Sequence, residues 1–283
     1  MNKDKLKNII SKKAKGNNNV SSQLYQMFFF EKILERISKS KYKHNIILKG
    51  GLLLSSIIGD DERTTKDMDA TLKSLPLEKD YVYNVLNEIL SIDLYDNIDF
   101  EIVDIKDIRE EDEYGGFRIN ILATMETIKI YLAIELTTGD KITPREIEYK
   151  YQCIFEDKKI PIFAYTLETV IAEKYHCITT RGIFNTRMKD FYDIYVLINN
   201  NKAKINLNNL VLAIKNTFKK RDTILDIDDI NELLKNMKSN ERLITLWNKY
   251  KVTAPYTEKI EYDDLFEPLE NITNILSNEI VSV

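Results

Sequence analysis

Two aspartates separated by one residue, Asp67 and Asp69, are the side chains that most directly suggest chemistry in this sequence. The segment 68–72 has the residue types of a strand, and alternate residues of a strand point to one face, about 6 to 7 Å apart. Two carboxylates so placed can converge on one cation. Mg²⁺ is commonly held by one or two carboxylates together with substrate phosphates. Acidic pairs are also frequent in solvated turns, so this pair predicts a metal site only together with its neighbours.

A glycine pair, Gly50–Gly51, lies upstream of the aspartates. The segment 45–48 predicts a short strand and residues 52–58 predict a helix, which makes the glycines a strand-to-helix turn. Bare backbone amides at the start of a helix can bind phosphate. Between the glycines and the aspartates lie four further donors for a polyphosphate: Arg63, Thr64, Thr65 and Lys66. Together these features predict a nucleotide site with a divalent metal.

A third carboxylate is expected from another strand of the same sheet. The segment 128–136 alternates strictly, with Glu135 on the face opposite its isoleucines and near the strand end. Glu135 is therefore our first choice for a third metal ligand. Glu101, on the segment 98–105, is the alternative, and an ordinary exposed role fits either residue.

The elements that must position these residues fall into two halves. The first half has helical patterns at 3–15, 21–38 and 76–92, and strand patterns at 45–48, 68–72, 98–105, 117–125, 128–136 and 146–155. Pro161 precedes a change to purely helical spacing, at 167–180, 186–199, 207–219, 226–238, 241–250 and 258–279. We therefore predict an α+β fold: a mixed sheet flanked by helices in a domain of residues 1–160, followed by an all-helical domain of residues 161–283.

Composition narrows the class of protein further. Hydrophobic residues make up 43% and charged residues 30% of the 283 residues, which is typical of globular proteins. The longest apolar stretch, 50–59, is about half of the roughly 20 residues that a membrane span needs, and the N-terminus lacks an apolar signal core. We expect a cytoplasmic protein with no membrane partner. A net charge of −4 lacks the excess of positive charge that is typical of nucleic-acid-binding proteins, but 41 basic residues still allow a local basic face.

The helical half contains a second group of charged residues. On a helix, Lys174 lies on nearly the same face as Arg181, which predicts a basic edge. In the next helix the spacing of the apolar residues leaves Asp190 and Asp193 outside the buried stripe. His176 is more simply read as a structural residue than as an acid–base catalyst.

These motifs, in this order, resemble those of the AbiEii-type nucleotidyltransferases. The resemblance runs from about residue 45 to residue 200 and depends on the combination of motifs rather than on any one of them. The matching segments are Gly50-Gly51, Arg63-x-Thr65-x-Asp67-x-Asp69, Glu168-x-x-x-Ala172-Glu173-Lys174 and Arg187-x-Lys189-Asp190-x-x-Asp193.

The resemblance implies a polymerase-beta-like core and a helical domain, with a nucleoside triphosphate and Mg²⁺, or Mn²⁺, in the cleft between them. On the matched positions it implies that Asp67 and Asp69 are catalytic metal ligands, that Thr65 contacts phosphate, and that Lys174 and Asp190 are catalytic, with Lys174 neutralising the triphosphate. Together with the residue types described above, the predicted metal ligands are Asp67, Asp69 and Glu135, with Glu101 as the alternative to Glu135. The predicted nucleotide contacts are Gly50, Gly51, Arg63, Thr65, Lys66, Lys174, Arg187 and Lys189. One departure is Leu52, where many members of the superfamily carry Ser or Thr after the glycines, so phosphate contacts there fall to backbone amides.

The activity implied is Mg²⁺-dependent transfer of a nucleoside monophosphate from a nucleoside triphosphate to an RNA acceptor, with tRNA 3′ ends as the expected acceptor. Family members of this kind are toxins of bacterial toxin–antitoxin, or abortive-infection, systems, each paired with a separately encoded antitoxin. Two alternatives stay open: nucleotide transfer onto a protein hydroxyl, and a nucleotide-binding module without catalytic activity.

Overall fold

The computed structural model describes residues 1–59, 63, 65–108 and 115–281. The chain divides into two compact units. Unit 1 consists of Met1–Asp140 and Glu146–Tyr165, and unit 2 consists of Lys141–Arg145 and Thr166–Val283.

A single mixed sheet of seven strands runs through the described part of unit 1. The strands are β1 (Ile46–Lys49), β2 (Met68–Leu72), β3 (Asp99–Ile108), β4 (Gly116–Met125), β5 (Ile128–Thr137), β6 (Ile147–Gln152) and β7 (Lys159–Ala164). Their order is β3-β4-β5-β2-β1-β7-β6. β1 runs antiparallel to β2 and parallel to β7, and β2 runs parallel to β5. The four residues of β1 are all buried, as expected for a central strand.

Four helices accompany this sheet in the described part of unit 1. They are α1 (Lys3–Ala14), α2 (Asn18–Lys39), α3 (Gly50–Ile58) and α4 (Lys79–Leu90). Helix α2 begins where the Asn17 side chain accepts hydrogen bonds from the backbone of Asn19 and Val20, which satisfies amides without helical partners. Its residues 28–30, three consecutive phenylalanines, are fully buried, and α2 packs on β5, β7 and α4. This aromatic core supports the sheet.

Strand β7 was missed by the sequence prediction, which placed Pro161 at the end of the sheet. Pro161 faces Lys150 of β6, whereas β1 pairs only with Phe163 and Ala164 of β7. The proline therefore lies beyond the end of the pairing with β1, where its missing N–H interrupts no hydrogen bond. A proline in a strand pattern thus gave a misleading stop signal here.

Unit 2 is helical throughout its described regular elements. Its helices are α5 (Leu167–Arg181), α6 (Met188–Asn201), α7 (Leu207–Lys220), α8 (Ile227–Lys238), α9 (Glu241–Thr253) and α10 (Phe266–Val281). The expected start of the last helix at residue 258 is wrong, because short 3₁₀ turns at Pro255–Thr257 and Asp263–Leu265 precede α10. Trp247 of α9 is buried and donates its indole N–H to the Ile260 carbonyl at 3.3 Å, which fixes this irregular segment.

The predicted α+β fold, a mixed sheet flanked by helices and followed by a helical region, is confirmed. Among the helices that the structure describes, none combines the length and apolar character needed to cross a bilayer.

Candidate active site

The glycine turn packs against the Asp69 side chain. Strand β1 ends at Lys49, helix α3 begins at Gly50, and the pairing of β1 with β2 places Lys49 opposite Asp69. The Gly51 backbone N–H donates to Asp69 Oδ2 at 3.3 Å. Gly50 has φ of +65°, and a Cβ at that position would overlap the Asp69 carboxylate. Glycine is required here both for the backbone conformation and for the space.

Asp67 is oriented by a buried hydroxyl. Thr65 Oγ1 donates to Asp67 Oδ1 at 3.0 Å and also lies 3.1 Å from the Asp67 carbonyl oxygen. A Cβ on Gly51 would overlap Thr65 and approach the Arg63 guanidinium, so these side chains pack on the turn. Of the other donors that the sequence suggested, Arg63 is buried, Lys66 is exposed and Thr64 lies outside the described residues.

The register of the sheet separates the two candidates for a third carboxylate. Glu135 of β5 lies directly opposite Asp69 of β2. Glu101 of β3 is separated from β2 by two intervening strands, which corresponds to about 14 Å at the usual strand spacing. Glu135 forms an ion pair with Arg118 of β4, its direct neighbour in the sheet. Glu135 is thus the acidic residue beside Asp69, but a cation of the chain already contacts it.

Like charges accumulate around Asp69. Burial, followed by the neighbouring carboxylates of Asp67 and Glu135, raises the pKa of Asp69 above its ordinary value. In the described ranges no group of three or more His, Cys, Asp or Glu side chains is close enough to hold a metal ion without other ligands. Asp67 and Asp69 offer hard oxygen donors of the kind that Mg²⁺ takes when phosphates and water complete its coordination.

A buried charged network behind Asp69 was not foreseen. The Lys49 ammonium contacts the Asp140 carboxylate and lies 2.8 Å from Thr137 Oγ1. Burial raises the pKa of Asp140, but Lys49 and hydrogen bonds from Tyr165 and Thr71 outweigh it and hold that pKa at about 2. A lysine in an otherwise apolar strand was the available signal, because a buried charge requires a partner. The network connects the ends of β1, β2, β5 and β7.

The second predicted group of charges lies in unit 2 and is internally paired. The Lys174 ammonium lies 2.6 Å from Asp190 Oδ1 and 2.8 Å from Asp193 Oδ2. Arg187 Nε lies 3.0 Å from the other oxygen of Asp190. Lys189, the remaining predicted nucleotide contact, is half-buried. Helices α5 and α6 bring these residues together because Lys174 and the two aspartates lie on their facing sides.

The expectation that Asp190 and Asp193 lie outside the buried stripe of α6 is wrong. Both carboxylates are buried, and Asp193 is fully so. Ion pairs with Lys174 compensate for their loss of solvation, a compensation that apolar spacing alone does not reveal. His176 is also buried, and burial, followed by the Arg221 charge, lowers its pKa to about 4. It is held neutral between Thr223 and Arg221, as a structural residue would be.

Comparison with solved structures identifies the fold. JHP933 from Helicobacter pylori matches with a TM-score of 0.53 and 14% identity, covering 92% of this chain and 95% of that one. An H. pylori protein described as a candidate nucleotidyltransferase matches with the same score and identity, covering 92% and 96%. A comparison with curated protein sequences finds no match. This chain thus shares its fold with these two proteins over 92% of its length.

Residues 32–268 match the family described as "Nucleotidyl transferase AbiEii toxin, Type IV TA system". The chain belongs to this family, and the matched range includes all the motifs described above. The resemblance recognised from the sequence is therefore confirmed at the level of the family.

Proposed function

We propose that this protein transfers a nucleoside monophosphate from a nucleoside triphosphate to an RNA hydroxyl, with the 3′ end of tRNA as the acceptor. The observation that carries the proposal is the contact between Asp69 and the glycine turn. A carboxylate pair for a cation and a helix start for a phosphate occur there at one point of unit 1. Both are needed to bind a metal-complexed triphosphate.

The residues present fit a divalent metal, Mg²⁺ or Mn²⁺. Asp67 and Asp69 offer hard oxygen donors, and the pKa of Asp69 is raised by burial and then by the Asp67 and Glu135 carboxylates, an effect that a bound cation would oppose. Arg118 contacts one carboxylate oxygen of Glu135 and would compete with a metal for this residue. Bound there, the metal would supply Lewis-acid polarisation of the phosphoryl oxygens.

The chain's own groups perform the remaining tasks. The Gly51 N–H is donated to Asp69, so the other backbone N–H groups in the first turn of α3 bind the phosphate oxygens. Thr65 keeps Asp67 in one orientation through its hydrogen bond. The acceptor oxygen attacks the α-phosphorus, the bond to the bridging oxygen of the β-phosphate breaks, and pyrophosphate leaves. The hydroxyl proton passes to a carboxylate of the Asp67–Asp69 pair.

The roles of the unit 2 residues stay predictions. We propose that Lys174 neutralises charge on the triphosphate, since Asp190 and Asp193 hold its ammonium in one position. Arg187 has more than half of its side chain exposed, which makes its guanidinium accessible to a phosphate. In Lys174→Met we expect a higher KM for the triphosphate.

Labelled nucleotide incorporation tests the proposal. The full chain is incubated with Mg²⁺, total RNA and each common ribonucleoside triphosphate labelled at the α-phosphate. Asp67→Asn should lower incorporation at least about 100-fold with little change in the melting temperature, because it removes a ligand of the reacting complex and not a core contact. Glu101→Gln is the matched control, since it neutralises a carboxylate of the same sheet far from Asp69. A fully active Asp67→Asn variant would exclude this assignment.

The same experiment separates the alternatives by where the label is found. Label in RNA supports the proposal, and label in protein indicates transfer onto a protein hydroxyl. Binding of triphosphate without release of pyrophosphate indicates a module without catalytic activity. The labelled triphosphate that is incorporated also identifies the preferred nucleotide.

The biological role that we propose is that of a cytoplasmic toxin restrained by a separately encoded antitoxin. Membership of a family assigned to type IV toxin–antitoxin systems supports this role. Induced expression in a bacterial host should slow growth, and Asp67→Asn should abolish the effect at equal protein level. Equal growth arrest by both proteins would contradict a toxicity based on nucleotidyl transfer.

A further inference from the structure

The turn between α5 and α6 displays a large aromatic side chain among cations. Phe184 is 79% exposed and its neighbour Ile183 is 36% exposed. Arg181 and Arg187 are exposed at either end of the turn. The segment 181–187 contains no acidic residue. A single exposed phenylalanine is common on protein surfaces, but here the ring lies between two exposed arginines and is accessible to a ligand that carries both a flat apolar group and negative charge.

Hydrogen bonds hold the backbone of this turn in place. Arg242 Nη1 donates to the Ile183 carbonyl oxygen at 2.7 Å. The Asn185 side chain is fully buried and its Oδ1 accepts from the Arg187 backbone N–H at 2.8 Å. These contacts secure the residues on both sides of Phe184. A ligand that stacks on the ring would therefore have little backbone freedom to remove, which lowers the entropic cost of binding.

The turn is also continuous with the charged group of unit 2. Arg187 contacts Asp190 through Nε, while 57% of its side chain remains accessible to solvent. Asp190 in turn holds Lys174. The exposed aromatic ring therefore lies in the short connection between the two helices that carry these residues, three positions from each arginine.

We propose that the segment 181–187, the Arg–Phe turn, binds a single-stranded stretch of the RNA acceptor. A base stacks on Phe184, and the flanking phosphates contact Arg181 and Arg187. Single-stranded nucleic acids are bound by this combination of an aromatic face and cations along the backbone. The assignment of this RNA as acceptor rests on the proposed function, whereas the binding itself does not.

A protein partner suits the turn less well. One phenylalanine and the edge of one isoleucine provide a small apolar area, whereas stable protein interfaces have larger and predominantly apolar centres. The arginines at both ends of the turn complement the negative charge of a polyanion. The order arginine, phenylalanine, arginine also matches the order phosphate, base, phosphate along a nucleic-acid strand. RNA is therefore the partner that the chemistry of the turn favours.

Fluorescence anisotropy measures the binding directly. The full chain is titrated into a labelled single-stranded RNA of about 12 nucleotides, within the range bound by known single-strand sites, with EDTA and without triphosphate. Phe184→Ala should weaken the Kd roughly 5- to 100-fold, as expected when one base no longer stacks. Phe184→Trp should retain binding. Val252→Ala is the matched control, because Val252 is an 82% exposed apolar residue elsewhere in unit 2.

A second variant tests the pairing of Arg181 with a phosphate. Arg181→Gln should reduce the slope of log Kd against log salt by about 0.7, the value expected when the protein neutralises one phosphate fewer on a single strand. Melting temperatures of all variants should stay near that of the unaltered chain, because the changed side chains are exposed.

Three results would overturn the proposal. The first is that the unaltered chain does not bind RNA, and the second is that Phe184→Ala binds RNA with an unchanged Kd. The third is that Phe184→Ala changes self-association, measured by sedimentation, and does not change RNA binding. Because metal and triphosphate are absent, RNA binding that depends on Phe184 would stand even if no nucleotide is incorporated. Conversely, if Phe184→Ala incorporates nucleotide normally and binds RNA with an unaltered Kd, the proposed role of the turn is refuted and the proposed nucleotidyl transfer is not.

Discussion

The two groups of carboxylates in this protein have opposite charge balances. Asp67 and Asp69 in unit 1 lie with Glu135 in a group where burial, followed by the neighbouring carboxylates, raises the pKa of Asp69 despite the opposing charge of Lys49. Asp190 and Asp193 in unit 2 are more deeply buried but share the Lys174 ammonium. The comparison teaches that burial alone does not distinguish a ligand site from a structural one. An unbalanced group is suited to an external cation, whereas a balanced one fixes the position of its own cation.

The largest effect on stability is expected from the removal of a unit 2 aspartate. Asp193→Asn should lower the free energy of unfolding by about 3–5 kcal/mol, because it leaves Lys174 with incomplete compensation in a buried environment. Urea denaturation measures the change. Asp222→Asn is the control, since Asp222 is exposed and asparagine tolerates its positive φ. A loss below about 1 kcal/mol would show that the balanced group is not structural.

Gly50→Ala tests how strictly the glycine turn positions the unbalanced group. The positive φ should cost about 1–2 kcal/mol, and the added methyl group must displace the Asp69 carboxylate. We expect affinity for Mn²⁺, measured by titration calorimetry, to fall about 10- to 100-fold, as for other groups that orient a ligand. Gly16→Ala is a close control, because Gly16 also has a positive φ but a Cβ there has no atom within 4 Å. Equal Mn²⁺ affinity in both variants would mean that the turn does not orient Asp69.

Asp69→Asn sharpens the contrast with Asp193→Asn. Removing a charge that burial and like charges disfavour should leave the free energy of unfolding within about 1 kcal/mol of the original value, or raise it. The rise in melting temperature that Mn²⁺ gives the unaltered chain should disappear, since a ligand stabilises only the state that binds it. Thermal scans with and without Mn²⁺ measure both effects. A strong destabilisation in EDTA would place Asp69 in the structural class instead.

The smallest effect is expected at Arg118, the cation already paired with Glu135. Arg118→Gln should change stability by less than about 1 kcal/mol, because the pair is partly exposed. Release of Glu135 should strengthen Mn²⁺ binding roughly twofold to fivefold, the equivalent of about 0.5–1 kcal/mol. Lys106→Gln controls for the general loss of positive charge, since Lys106 lies opposite Arg118 on β3. Equal gains in both variants would argue against specific competition for Glu135.

The sequence was most informative where local pattern and chemistry coincide. Strict alternation of apolar and polar residues predicted the bounds of β4 and β5 to within one residue. The glycine pair predicted the turn from β1 into α3. The spacing of Asp67 and Asp69 predicted a common strand face, whereas β2 begins at Met68 and Asp67 lies just before it, where Thr65 donates to its carboxylate. Features set by neighbours in one short segment were therefore recoverable.

Features set by distant segments were not. Nothing near Lys49 indicates that Asp140 will be its partner, and nothing near Glu135 indicates that Arg118 will contact it. The burial of Asp193 depends on Lys174 in another helix, so apolar periodicity assigned it to the wrong side. In each case the pairing is decided by the arrangement of elements that are separated in the chain.

Strand β7 also has a consequence for the order of events during synthesis. It completes the sheet beside β1, pairing Ile47 with Phe163, so the strand that leads into the glycine turn has only one neighbour until the chain has been made as far as Ala164. Since domains fold as units from the N-terminus during translation, a nascent chain that carries Asp67 and Asp69 but lacks β7 has an open sheet edge at β1. A protein that belongs to a toxin family would thus complete the sheet that carries its candidate active site late, when more than half of the polypeptide has been made.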